Sequence, residues 1–211
     1  MHQWTLPGIL ISMLLMPFFV MAESKGQNKE LKTTSASKVL IVYLSRTKNT
    51  EAVAKMIQAR VGGELLALEL QTPYPENYKA IVSQVDAENE EGFMPALAAT
   101  PGDLEQYEII YLGFPTWDMQ LPPPMKSFLT QTNLSGKTVA PFNTHGGYGS
   151  GSSFETVREL CTGCNVVDGL SVRGGLERDG VYLAIEGERA AVVIGEVNEW
   201  LRGVKTLERQ E

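Results

Sequence analysis

The fold is decided by the stretch Val39-Leu-Ile-Val-Tyr-Leu-Ser-Arg-Thr-Lys-Asn-Thr-Glu-Ala-Val-Ala54. Its first part, Val39 to Leu44, is an apolar run with the length of a buried strand, and an amphipathic helix follows from about Asn49 or Thr50. The short turn between them leads directly into a helix N-terminus, where free backbone N–H groups and the positive end of the helix dipole favour an anion. The stretch therefore predicts a site for a terminal phosphate, held without a metal.

Hydroxyl and amide side chains add donors to this turn, at Ser45, Thr47, Asn49 and Thr50. The turn lacks the Gly-Lys-Ser/Thr order of a nucleotide-binding P-loop and the three spaced glycines of a dinucleotide site. An ordinary strand–helix connection with a Thr or Asn cap remains an equally good interpretation of this segment alone, because these residues are the usual helix caps.

The N-terminus has the pattern of an export signal. Residues 1–22 contain no Asp, Glu, Lys or Arg, and the apolar run Leu6 to Met21 ends in the small-residue sequence Val20-Met-Ala22. This predicts a signal peptide over 1–22, cleaved after Ala22, followed by a polar, flexible leader over 23–37. We expect an exported, periplasmic protein. The alternative is an uncleaved segment that anchors the chain in the membrane, facing the periplasm.

Composition limits the classes of partner. The 211-residue chain has a formal net charge of −7, which argues against nucleic acid or anionic lipid as the main partner. Beyond the leader, about 170 residues suit one domain with a full core. We assign that domain to residues 38–205 and a C-terminal tail to 206–211.

Strand and helix patterns alternate along the domain. Strands are predicted at 39–44, 65–70, 109–112, 138–142 and 166–172, and helices at 50–61, 78–91, from about 123, at 154–160 and at 186–202. This alternation predicts an α/β fold, with a doubly wound parallel sheet covered by helices on both faces. Ligands of such sheets bind beyond the carboxyl ends of the strands, so we expect the loops after the first, third and fourth strands to converge.

Two of these loops have an unusual composition. Gly113-Phe-Pro-Thr-Trp-Asp-Met-Gln-Leu-Pro-Pro-Pro124 combines a tryptophan with three successive prolines, and Asn143-Thr-His-Gly-Gly-Tyr-Gly-Ser-Gly151 contains four glycines and a tyrosine. An aromatic face beside a phosphate site suggests a stacked ring, and glycines allow the backbone to approach a planar ligand. Either loop alone is more often packing or an ordinary turn; together they indicate a binding site.

With the turn Ser45-Arg-Thr-Lys-Asn-Thr50, these loops make the chain resemble a flavodoxin over residues 38–205. The matching branch of that family carries Ser-Arg-Thr-Gly-Asn-Thr, Gly-x-Pro-x-Trp and Thr-Ser-Gly-Gly-x-Gly motifs. The resemblance implies a five-stranded sheet in the order 2-1-3-4-5, bound FMN and redox partner proteins. It places the phosphate at Ser45, Thr47, Lys48, Asn49 and Thr50, and the flavin ring between Pro115, Thr116 and Trp117 on one side and Gly146, Gly147 and Tyr148 on the other side or edge.

Two residues depart from the family pattern. Lys48 stands where glycine is usual, so it is strained if the backbone needs a positive φ. We favour the alternative, in which its ammonium adds charge beside the phosphate. His145 stands where serine is usual, and we interpret it as a solvated loop histidine rather than a proton-transfer group.

The sequence gives little support for catalysis by side chains or for a metal site. The sequence has two histidines, His2 and His145, and shows neither a catalytic triad nor a metal-ligand cluster, so we predict no catalytic side chain and no metal. Cys161 and Cys164 are predicted to form a structural disulfide in an exported protein, with a redox pair as the alternative.

The leading functional prediction is an exported FMN-binding electron-transfer protein. An FMN-dependent NAD(P)H:quinone reductase is the enzymatic alternative, although no separate nicotinamide site is visible in the sequence. A non-catalytic flavin-binding protein is the third possibility.

Overall fold

A parallel sheet forms the centre of the protein in the computed structural model, which describes residues 38–99, 102 and 104–207. The predicted signal peptide and leader, and residues 208–211 of the predicted tail, lie outside the described residues. The strands are β1 (Val39–Tyr43), β2 (Glu64–Ala67), β3 (Ile109–Pro115), β4 (Thr138–His145), β5 (Asn165–Val166) and β6 (Leu170–Arg173). The sheet order is β2-β1-β3-β4-β5, with β6 also pairing with β4, and every pairing is parallel. The predicted 2-1-3-4-5 order is confirmed.

In the described part of the chain, four α-helices connect strands and a fifth follows β6: α1 (Asn49–Val61), α2 (Tyr78–Glu91), α3 (Pro123–Gln131), α4 (Ser153–Leu160) and α5 (Gly187–Leu207). A short 3₁₀ helix, Glu177–Asp179, precedes α5. Helix α5 runs past the predicted end at residue 202, so 206 and 207 belong to it rather than to the tail. Among these helices of the described chain, none is long and apolar enough to cross a membrane.

The core lies on both faces of the sheet. Leu40 and Val42 of β1 pack in one apolar cluster with residues of α3 and α4, while Ile41 packs in the other with residues of α1 and α5. Adjacent strand residues point to opposite faces, so a strand buried on both sides is apolar throughout, as β1 is. The prediction of helices on both faces is confirmed.

The ends of three strands differ from the sequence prediction by three residues each. β2 ends at Ala67 instead of Leu70, which makes only an isolated antiparallel bridge to Leu97. β3 and β4 run on to Pro115 and His145, because their pairing continues through polar positions. Asn143, for example, is fully buried: its Nδ2 donates to the Phe114 carbonyl at 3.3 Å and its Oδ1 accepts from Ser171 at 3.2 Å.

The predicted strand 166–172 is wrong as a single element, because it consists of β5 and β6 with residues 167–169 between them. At this break the indole Nε1 of Trp200 donates to the carbonyl of Asp168 at 2.7 Å. Gly169 lies against Phe154, where an added Cβ would be 2.6 Å from the ring. The side chains of α4 and α5 thus shape the break, which is a tertiary effect that the local apolar pattern does not contain.

Candidate functional site

A cavity of about 410 Å³ lies at the carboxyl ends of β1, β3 and β4. All three predicted loops contribute to its lining, through Thr47, Thr50, Pro115, Trp117, His145 and Gly146 among others. The loops therefore converge as the strand order requires. The polar and apolar parts of the lining come from different elements.

The turn after β1 offers main-chain donors. The backbone N–H groups of residues 46–50 donate to no atom of the described residues. The Ser45 hydroxyl accepts from the Glu51 N–H at 3.2 Å, so it caps α1 instead of facing the cavity. The hydroxyl of Thr47 lines the cavity and accepts from the side chain of Asn49 at 2.9 Å, which leaves its hydrogen able to turn toward a ligand. Unused N–H groups before a helix form an anion site.

Lys48 adopts the left-handed conformation, with φ of 65° and ψ of 2°. Our preference for an unstrained lysine at this position is therefore wrong: the backbone needs the positive φ for which glycine is suited, because a left-handed residue turns the chain from β1 into α1. The Lys48 side chain is exposed and is not part of the cavity lining.

The side chains of Asn49 and Thr50 are buried and already paired. The Oδ1 of Asn49 accepts from the N–H groups of Ala184 and Ile185 at 2.9 and 3.2 Å, and its Nδ2 donates to the Tyr182 carbonyl at 2.6 Å. Thr50 shares a hydrogen bond with Thr144. At these two positions an anion would meet the backbone N–H rather than the side chain.

The end of β3 and the loop after it form one side of the cavity. Pro115 and Thr116 line it, but the Thr116 hydroxyl donates to the Gly149 carbonyl at 2.9 Å and accepts from Asn143 at 2.8 Å. The Thr116 hydroxyl therefore holds the glycine-rich loop after β4 in place. Trp117 is half-buried and lies edge-on to Tyr74, with ring centroids 5.4 Å apart and planes at 86°. This edge contact fixes the indole at the cavity wall.

The glycine-rich loop contributes less than the resemblance implies. His145 and Gly146 line the cavity, whereas Gly147 and Tyr148 do not. Tyr148 is 64% exposed, and its hydroxyl accepts from Arg178 at 3.3 Å. Gly146 packs closely against Leu176, whose terminal methyl would have to shift for a side chain here, because an added Cβ would lie 2.6 Å from it.

His145 is half-buried rather than solvated. Its Nδ1 accepts from the N–H groups of Gly147 and Gly149 at 3.0 and 3.1 Å, so the neutral ring carries its proton on Nε2. Burial, together with the charges of Arg173 and Arg189, lowers the pKa of His145 below its ordinary value. The ring is a neutral acceptor that shapes the loop.

Sequence reasoning missed the contribution of α2. Its residues Tyr78, Ile81, Val82 and Val85 line the cavity at helical spacing and make an apolar part of its wall. The link to Trp117 runs through Tyr74, whose hydroxyl donates to the buried Glu88 of α2. The apolar spacing was visible in the sequence, but a polar helix after two prolines gave no sign that it would border a ligand site.

Arg46 and Glu177 were also missed, and they form an ion pair at 2.8 Å in the cavity lining. Position alone could have flagged Arg46, since it lies between Ser45 and Thr47. Glu177 comes from the segment after β6, where no motif marks a site.

The predicted disulfide site lies apart from this cavity. The structure joins Cys161 and Cys164 in a disulfide directly after α4, and neither residue lines the cavity. Among the described residues, no group of three or more His, Cys, Asp or Glu side chains is arranged to hold a metal.

The cavity therefore suits a ligand with an anionic end and a flat apolar end. The sequence profile of the flavodoxin family matches residues 38–187. The chain belongs to the flavodoxin family. A flavodoxin's site is expected at these three loops, where the cavity lies.

Several solved structures are similar to this chain in fold. A candidate flavoprotein from Bacteroides uniformis is 26% identical, with a TM-score of 0.61 over 68% of this chain and 95% of its own. A candidate flavoprotein from Bacteroides eggerthii is 29% identical, with a TM-score of 0.59 over 64% of this chain and 87% of its own. A flavoprotein from Lactobacillus acidophilus, solved in complex with FMN, is 23% identical, with a TM-score of 0.57 over 65% of this chain and 93% of its own. This last likeness shows the fold. No curated protein matches the chain significantly.

Proposed function

We propose that the protein binds FMN in this cavity and carries electrons one at a time between partner proteins outside the cytoplasm. The observation that carries the proposal is the polarity of the cavity, which joins main-chain donors at one end to an aromatic and aliphatic wall at the other. FMN has the same polarity, with a phosphate at one end and a planar ring system at the other.

The residues present fit the phosphate end. The free N–H groups of residues 46–50 belong to the turn at the start of α1, in which Lys48 is left-handed, and Thr47 of the same turn lines the cavity. These donors would hold the phosphate together with the positive end of the helix dipole. The ammonium of Lys48 is exposed outside the cavity. It would add positive charge near the phosphate, and salt would screen this interaction.

The apolar end fits a flavin ring. Trp117 and the α2 residues Ile81 and Val85 present aromatic and aliphatic surface, and the two aliphatic side chains are each 4% exposed. They would orient the ring and keep water from its covered part. When bound, flavin supplies the ability to take up and release one or two electrons.

Charge in the lining supports a low reduction potential. The carboxylates of Asp86 and Asp118 line the cavity of a chain with a net charge of −7. They disfavour the negative charge that reduction adds. Each ~1.4 kcal/mol of such a penalty lowers a one-electron potential by about 59 mV.

The site of action is inferred from the N-terminal sequence. The uncharged run in residues 1–22 supports export with cleavage after Ala22. Outside the cytoplasm NAD(P)H is not expected, which favours protein partners over a nicotinamide donor. The acidic surface would meet basic patches on those partners, and added salt would weaken the encounter.

The test begins with the full-length chain produced in an exporting bacterial host. Mass spectrometry of the mature protein should show an N-terminus at Glu23. The protein is then incubated with FMN, freed of excess ligand and titrated stepwise with dithionite while the visible spectrum is recorded.

Retained FMN that is reduced in two separate one-electron steps supports the electron carrier. Reduction in a single two-electron step, together with NADH or NADPH oxidation in the presence of a quinone, identifies the reductase instead. Absence of retained FMN overturns the proposal.

A further inference from the structure

Arg46 lines the cavity and bonds to two segments from other parts of the chain. Its Nε and Nη2 donate to the carboxylate of Glu177 at 2.8 Å each, and a second Nε contact measures 3.1 Å. Its Nη1 donates to the Pro75 carbonyl at 3.0 Å, and Nη2 also donates to the Glu76 carbonyl at 2.6 Å. One guanidinium thus joins three segments that lie far apart in the sequence.

Two of these segments belong to stretches that border the cavity. The α2 rim comprises residues 75–86, which hold the two carbonyls and the cavity-lining part of α2. The β6 rim comprises residues 174–177, of which Glu177 is the last. Arg46 projects from the turn between β1 and α1 and bonds to both, so each rim is fixed to the other through its guanidinium.

The guanidinium has little capacity for another ligand. Of the five N–H hydrogens of an arginine, the one on Nε, both on Nη2 and one on Nη1 point to the acceptors named above. The pair is only partly exposed, at 21% for the Arg46 side chain and 13% for that of Glu177. Without displacing an existing partner, a phosphate could bond only to the second Nη1 hydrogen, and the positive charge of the guanidinium is already balanced by Glu177.

A second contact from the same turn holds the chain that follows the β6 rim. Asn49 accepts from the N–H groups of Ala184 and Ile185 and donates to the Tyr182 carbonyl. Gly175 brings the rim close to this chain, because an added Cβ would lie 2.0 Å from the Tyr182 carbonyl oxygen. The rim is thus held by Arg46 at one end and indirectly by Asn49 at the other.

We propose that Arg46 and Glu177 form a bridge that holds the two rims over the ligand and sets how long a flavin stays bound, without binding its phosphate. This inference rests on the proposed function. Arg46 is in this sense a positioning residue. Both members of the bridge serve the same contact, so removal of either has the same effect as removal of both. The effect is also independent of the phosphate, so riboflavin responds as FMN does.

The experiment measures dissociation rates of FMN and riboflavin by stopped-flow flavin fluorescence, for the wild type, Arg46→Met, Glu177→Gln and the double variant. Asp179→Asn is the matched control, because it removes one exposed carboxylate from the same 3₁₀ helix. We expect each bridge variant, single or double, to release both flavins about tenfold faster, and the control to behave as the wild type.

A different pattern overturns the bridge. If Arg46→Met speeds the release of FMN alone while Glu177→Gln slows it, Arg46 binds the phosphate and Glu177 competes with it. Amide hydrogen exchange of the flavin-free protein provides a readout that needs no ligand: both rims should exchange faster in either variant. Unchanged exchange refutes the bridge, whereas a wild type that binds neither flavin refutes only the proposed function.

Discussion

The hydroxyl oxygens of Thr50 and Thr144 lie 2.8 Å apart and share one hydrogen bond, and the two residues are 1% and 4% exposed. Thr50 is the second residue of α1, and Thr144 is the last but one of β4. The bond therefore joins the anion end of the cavity to the strand that carries the glycine-rich loop.

Thr50→Val should lower the free energy of unfolding by about 1–3 kcal/mol, because it leaves the buried hydroxyl of Thr144 without a partner. Thr144→Val should have a similar effect. The double variant should unfold close to the wild type, since two apolar side chains of the same shape need no partner. Urea unfolding of all four proteins gives the coupling energy, and strictly additive losses would show that the two hydroxyls are not paired.

Lys48→Gly should raise the free energy of unfolding by up to about 1 kcal/mol. Glycine relieves the left-handed backbone, while its greater freedom in the unfolded chain offsets part of the gain. Lys48→Ala is the control, because it removes the ammonium and keeps the strain. If alanine stabilised the protein as much as glycine, the positive φ would not be the cause.

The same two variants separate charge from conformation in binding. Both should weaken FMN binding to a similar degree and leave riboflavin binding unchanged, because the Lys48 ammonium acts on the phosphate alone. The difference in FMN affinity between the wild type and these variants should shrink as salt is raised from 20 to 200 mM, conditions chosen to shorten the screening length. Fluorescence titration at both salt concentrations measures it.

The stability of the protein should fall as the pH is lowered through about 6.5, with a contribution from His145. The pKa of His145 is lowered in the folded state, so the unfolded chain takes up a proton at a higher pH than the folded one does. The contribution of His145 to stability is complete above the pKa that this residue has in the unfolded chain. It is lost as the pH falls to the lower pKa that the residue has in the folded protein.

His145→Asn is the matched variant, because the Asn Oδ1 can accept from the Gly147 N–H without titrating. Urea midpoints measured between pH 5 and pH 8 should converge for the two proteins at low pH and diverge in favour of the wild type as the histidine becomes neutral. Parallel curves would remove His145 from the pH dependence.

Trp117→Ala should weaken the binding of both FMN and riboflavin by roughly 1–3 kcal/mol, the scale of aromatic burial, if the ring packs against this indole. Trp117→Phe should retain most of the affinity and the edge contact with Tyr74. Unfolding of the flavin-free variants shows how much of the change is a loss of fold. An unchanged affinity in the alanine variant would exclude Trp117 from the site.

The elements with strong local signals were predicted well. The polar helix over 78–91 matches α2, which begins at an Asn77 cap and ends at the left-handed Gly92. The apolar runs located β1, β3 and β4, but the ends of β3 and β4 were placed too early. Asn143 and Thr144 read as loop residues, although pairing with β3 keeps them in the strand and buries them.

For the site, the sequence located the loops but not the roles of individual residues. Asn49 and Thr50 are usual donors in a phosphate turn, yet their side chains are taken up by residues 182–185 and by Thr144. Glu177 and the α2 wall reach the cavity through tertiary packing. Such contacts depend on how distant segments are placed by the sheet, and one sequence carries no local pattern for them.

The donors at the anion end of the cavity belong to the main chain of residues 46–50, and this has a consequence for relatives of this protein. Exchange of the Thr47 side chain leaves those N–H groups in place, whereas proline removes one and cannot adopt the positive φ of residue 48. Homologous turns can therefore differ at most side chains while keeping the same recognition surface. In the turn of residues 46–50, we therefore expect evolution to exclude proline more strictly than it retains any particular side chain.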